Sequence, residues 1–281
     1  MLNPDSAQER LAALIDRART AGADAADAVY HGAAAEAVQV RLGKLEDVER
    51  SESEHIDLRV FVGRRSASIG SSDLSDQALD ELAARAVAMA RSAPEDPYAG
   101  LAPAERLAQG PFPQLDVEDP AEPSPQALRA LAEEAEDAAR AVAGVTNSEG
   151  ATASAGRDVL ALATSHGFSG GYAATSRGIS ASVLAGEGAT MQRDYAWRSA
   201  RHSSDLPGPA EIGVQAGERA VARMNPGRLK SGPLPVVFDP RVGGSLIGHL
   251  IGAIAGSAIA RRASFLLDKL EAQLFDSAIT I

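Results

Sequence analysis

The chain contains no cysteine. Disulfides, thiolate metal sites and a cysteine nucleophile are therefore excluded, and the composition fits a reducing compartment. Aromatic residues are scarce, 4% against 45% apolar residues in all, so alanine must fill much of any core. Basic runs are lacking beyond Arg64–Arg65 and Arg261–Arg262. Lys and Arg number 27 against 38 Asp and Glu, a net charge of −11. A phosphate backbone repels such a chain unless a basic patch is segregated, and no nucleic-acid partner is expected. The first residues, MLNPDSAQERLAAL, have no charged-then-apolar leader pattern, so a cytoplasmic, soluble protein is expected. No Walker A pattern or dinucleotide fingerprint is present, nor any internal repeat at solenoid spacing.

What the chain does have is 281 residues, enough for two domains or one large one. Ser6 with Glu9 reads as a capping box, followed by Leu11, Leu14, Ile15 and Ala18 at helical spacing and a stop at Gly22. From Asp27 to Ser71 the period changes to two, as in Val38-x-Val40-x-Leu42 and Leu58-x-Val60-x-Val62. Turns at Gly43–Lys44 and Gly63–Arg64 make this an antiparallel meander. Ser75 to Ala93 is helical again, with Leu79, Leu82, Ala86 and Met89 on one face. A linker with eight prolines runs from Pro94 to Pro125 and wraps a surface. An alanine-rich helix over 126–143, strands from Val145 to about Tyr195, a helix over 209–225 and a buried strand at Pro235–Phe238 follow. The expected domains are 1–118, 119–232 and 233–281.

The segment GGSLIGHLIGAIAGSAIARRASF (Gly243–Phe265) carries glycine at every fourth position, Gly244, Gly248, Gly252 and Gly256, continued by Ala260. On a helix these share one face, and another backbone can approach it closely. Each interior glycine costs roughly 1 kcal/mol relative to alanine. A tightly packed internal helix and an interface are the readings in view. A membrane span is disfavoured by the mid-segment His249, the two closing arginines and the dependence on Gly and Ala for apolarity.

Chemistry is sparse. The histidines are His31, His55, His166, His202 and His249, and none has another within five residues. Around His249 the helical neighbours Ser245, Gly252 and Ala253 are not metal ligands. Ser165 and His166, read as adjacent strand residues, point to opposite faces and form no nucleophile–base pair. Met191–Trp197 gathers the only Trp with Tyr195, Arg193 and Asp194. This is a packed strand with an Arg–Asp pair, or a peptide-contacting edge formed by Arg193, Tyr195 and Trp197.

The glycine segment with its continuation FLLDKL resembles the conserved helix of the TldD/PmbA family. GVTNSEGATAS, LATSHGFSGGY, MQRDYAW, AGERAVARMNPGRLKSGPLPVVFDPRVGGSL and LRVFVGRRSASIGSSDLS carry the resemblance over nearly the whole chain. In the catalytic branch this helix bears a His-Glu-x-x-x-His zinc motif. Its three positions are Gly248, His249 and Ala253 here, as in the PmbA (TldE) branch without the motif. The resemblance implies an α+β fold, antiparallel or mixed sheets with flanking helices, and three domains. It implies no catalytic or metal residue and no cofactor in this chain, with zinc held by a TldD-like metallopeptidase partner that acts on peptides; alone, the chain could form a homodimer. Gly244, Gly248, His249, Gly252 and Gly256 would form the interface. A self-sufficient peptidase with a non-standard metal site and a DNA gyrase-modulating protein are the alternatives. The end at Ala278-Ile279-Thr280-Ile281 reads as mid-strand, so the chain is expected to be a fragment, or truncated before its C-terminal domain.

Overall fold

The computed structural model describes residues 1–279 and 281. Two units are distinct, Met1–Pro226 and Gly227–Ile281. In the first, six strands form one sheet in the order β3-β2-β1-β4-β5-β6. They are β1 (Ala25–Arg41), β2 (Lys44–Val62), β3 (Arg65–Ser71), β4 (Val145–Thr164), β5 (Ser169–Ala185) and β6 (Gln192–Ala200). Every pairing is antiparallel, so the sheet has no mixed part. Segments 1–118 and 119–232 each contribute three strands, joined where β1 pairs with β4.

One face of the sheet is covered by helices α1 (Pro4–Thr20), α2 (Asp76–Ser92), α3 (Pro125–Arg140) and α4 (Pro209–Ala222). Two cores result. Tyr30, Ile56, Leu58 and Val159 pack beneath α1 and α2. Val38, Val40, Ile179 and Val183 pack beneath α3 and α4. The period-two alternation places these side chains together. Alanine fills much of both cores, as the low aromatic content requires. Tyr30 is the largest side chain fully covered. Its hydroxyl donates to Glu54 at 2.8 Å and accepts from Leu2 N–H at 2.9 Å. Burial, reinforced by the Glu54 carboxylate, pushes the phenol up to about 12.

Several local expectations are corrected. The cap of α1 is Asn3, whose Oδ1 accepts from Ser6 N–H at 2.8 Å; proline at the first helical position starts the helix earlier than Ser6 does. The β1–β2 turn is Leu42–Gly43, both at positive φ, as a two-residue hairpin of the primed type requires. Glu136 of α3 clasps it, accepting from Leu42 N–H (2.7 Å) and Gly43 N–H (2.9 Å). Met89 is exposed rather than on the buried face of α2.

The second unit holds α5 (Pro240–Ile254), capped by Asp239, and a short α6 (Gly256–Ala260). Pro235–Phe238 is neither a strand nor buried: Val237 is 94% exposed. Ala278 and Ile279 lie outside any strand, and Thr280 falls outside the described residues.

Candidate functional site

The glycine row divides between two helices. Gly244, Gly248 and Gly252 lie on α5, whereas Ala255, with ψ at 130°, breaks the helix and Gly256 starts α6. A Cβ built at any of the four would meet nothing within 4 Å. Leu246, Ile251 and Ile254 of the same helix are also exposed. His249 stands alone among these small and apolar residues, and the donor set at 248, 249 and 253 is one imidazole with no carboxylate. That does not fit a zinc site, which needs three or four converging ligands. Among the described residues no group of three or more His, Cys, Asp or Glu could hold a metal ion.

The close helix contact that a glycine row can make lies elsewhere. On α4, a Cβ at Gly213 would fall 2.0 Å from Ala135 O, and one at Gly217 would fall 2.9 Å from Ala139 O. Here α4 rests on the backbone of α3. The Gly213-x-x-x-Gly217 spacing is legible in the sequence, but spacing alone does not separate it from the row at 244–256.

Arg193, Tyr195 and Trp197 share the sheet face away from the helices; Tyr195 is 41% and Trp197 55% exposed. Trp197 lies opposite Ser180 and Tyr195 opposite Ser182, on a floor of small residues with Thr152 and Gln39. Arg193 pairs with Glu149 at 3.0 Å, not with Asp194; the buried Asp194 meets Arg223 at 3.4 Å. The outer edge of β6 is occupied by side chains. Asp194 Oδ1 accepts from Tyr195 N–H (2.8 Å), Arg219 donates to Tyr195 O (3.1 Å) and Arg198 donates to Trp197 O (2.8 Å). Ser165 and His166 sit in the β4–β5 turn, not in a strand. The Ser165 hydroxyl accepts from Ala26 N–H at 3.0 Å, and Asp158 pairs with His31 at 3.3 Å.

Sequence reasoning missed a junction in the proline-rich linker. Asp119 accepts from Ser203 N–H and Ser203 Oγ, both at 2.8 Å, and from Ala121 N–H at 2.9 Å. Ser203 N–H, then Ala121 N–H and the Ser203 hydroxyl, with Arg177 nearby, hold its carboxyl well below the usual carboxylate range. Arg177 is buried, with Nε 3.8 Å from Asp119 and a terminal guanidinium N–H donating to Ala121 O. Thr175 N–H donates to Val117 O at 2.9 Å. These bonds fasten the linker to β5 and fill the gap between the helix pairs. Only the turn residues and prolines hinted at it, because Thr175, Arg177 and Ser203 are remote in sequence.

Three domain profiles match in order: PmbA/TldA metallopeptidase domain 1 over residues 26–90, the central domain over 118–224 and the C-terminal domain over 231–281. The chain belongs to the PmbA/TldD family. The match over 231–281 corrects the expectation that the C-terminal domain is missing. The metalloprotease PmbA of Escherichia coli O157:H7 is 38% identical over 245 residues, 87% of this chain and 54% of that protein. This PmbA/TldD chain thus spans about half the length of that relative. A Bacteroides thetaiotaomicron protein described as a candidate modulator of DNA gyrase superposes with TM-score 0.86 at 24% identity, covering 95% of this chain and 61% of that one. TldE from Thermococcus kodakarensis gives 0.72 at 15% identity, over 92% and 58%. At these identities the structures share the PmbA/TldD fold, and the likeness extends no further.

Proposed function

We propose that this PmbA-like chain is the metal-free half of a two-subunit zinc peptidase, pairing with a TldD-type subunit that acts on peptides in the cytoplasm. The observation that carries this reading is Gly248, His249 and Ala253 at the three zinc-motif positions of a family member. One imidazole cannot replace two imidazoles and a general base. The zinc, its ligands and the base then come from the partner. The open row Gly244, Gly248 and Gly252, with His249 beside it and Gly256 beyond the break, is the face offered to that partner. Its glycines leave no side chain to keep a second backbone away. Arg193, Tyr195 and Trp197 would meet peptide through their side chains on the open sheet face.

Two measurements test this. Co-purification from the native organism, with mass identification, should recover a partner bearing His-Glu-x-x-x-His. Elemental analysis of the isolated chain after zinc loading should find no stoichiometric metal; one tightly held zinc per chain would sink the proposal.

A further inference from the structure

The edge of β5 carries unused hydrogen-bonding capacity. Strand β6 pairs only with Arg177–Ala185, so residues 169–176 have a strand neighbour on the β4 side alone. Thr175 shows which backbone groups face outward: its N–H donates to Val117 O and its C=O accepts from Arg201 at 3.2 Å. The two-residue repeat of a strand turns the N–H and C=O of Gly171 and Ala173 to the same side. No hydrogen bond reaches those outward groups among the described residues. Ala173 is only 7% exposed, and backbone groups left unpaired at covered positions are rare.

A cavity lies along this edge. The linker leaves β5 after Val117 and returns where the Phe112 and Phe168 rings meet edge to face, 5.9 Å apart. Between these two closures is a space of about 860 Å³, walled by Phe112, Leu115, Leu160, Leu162, Phe168 and Tyr172. Its size is that of a ligand site.

We propose that this edge, beneath the linker, takes an extended peptide as an added strand. The proposal rests on the peptide-processing reading and supplies it with a binding surface. Val117 already forms the first rung of the pairing, so an incoming strand continues an interface that exists. Its outward N–H and C=O groups would meet Gly171 and Ala173, and alternate side chains would fall on Leu160, Leu162 and Tyr172. At the Val117 end Asp116 meets His202 at 3.0 Å and Glu118 meets Arg157 at 2.7 Å, so these carboxylates are already paired. The matching occupant is an extended peptide, apolar at alternate positions. Two other free edges fit less well. Side chains occupy β6, and the unpaired stretch of β2 carries Glu46, Asp47, Glu49, Glu52 and Glu54, the charged pattern that resists strand addition.

The test uses the whole 281-residue chain and a dye-labelled heptapeptide with valine at alternate positions. Anisotropy should show saturable binding, and amide exchange should slow at residues 169–174. Methylating alternate backbone nitrogens of the peptide should weaken binding about tenfold or more, the loss of one or two hydrogen bonds. Ala173→Pro should do the same, since proline is tolerated where an edge N–H faces outward and this position already carries a Cβ. No binding by the native chain, or binding indifferent to peptide methylation, overturns the proposal whether or not the proline variant folds. Peptide binding without zinc-subunit pairing would keep the groove and remove the subunit reading. Pairing without peptide binding would overturn the groove alone.

Discussion

Glu136 is fully buried, yet its carboxyl is held below the usual range. Burial alone would raise it, but the Ser148 hydroxyl and the N–H groups of Gly43 and Leu42 outweigh that cost by solvating the anion. Leu42, a non-glycine residue at positive φ, is stabilised in its turn by the same carboxylate. Glu136→Ala would strand two turn donors and is expected to cost about 2–3 kcal/mol, read as a shift of the urea midpoint. The pH dependence has a definite sign. A carboxyl depressed in the folded state contributes fully above its unfolded value, about 4.3, and loses that contribution as pH falls through the folded value. The stability gap between the native chain and Glu136→Gln should therefore narrow on going from pH 7 to strong acid. A gap that stays constant would show that the charge is not what holds the turn.

Helix elements separate two kinds of glycine row. On α4, Gly213 sits where any Cβ would collide with a carbonyl of α3, so Gly213→Val must push the helices apart. Overpacking of this kind typically costs about 1–3 kcal/mol, and chemical denaturation of the isolated chain should show at least that loss. On α5 the space beside Gly252 is open. Gly252→Leu should leave the lone chain's thermal midpoint unchanged or slightly raised, because glycine is the poorer helix former. The same variant should abolish pairing with a TldD-type subunit in a pull-down. Unaltered pairing would remove the glycine row from the interface.

Across the whole molecule, charge and ligand supply set the expectations. Net charge is −11, so an electrophoretic shift with duplex DNA at moderate salt should show no complex. The triple change Gly248→His, His249→Glu and Ala253→His recreates two ligands and a base, one ligand short of a catalytic zinc site with its ordered surroundings. No chelator-sensitive peptide hydrolysis should appear in that variant alone; its appearance would return the chain to the self-sufficient enzymes.

The sequence by itself determined the parts that depend on neighbours along the chain. Alternation over Val38–Val40 and Leu58–Val60 fixed which side chains face the core, since a strand's period is two, whereas Leu42, next in that alternation, lies exposed in the turn. Helical spacing did the same for Leu11, Leu14 and Ile15. Tertiary structure decided what depends on remote partners. Burial separated Gly213 from Gly252, because a glycine's worth lies in what approaches it. The join of β1 to β4 made one sheet of two segments. The early end of β6 left Gly171 and Ala173 unpaired. Asp119 found Ser203 and Arg177 only once the linker had folded back over β5, since no local periodicity records a contact that the fold creates.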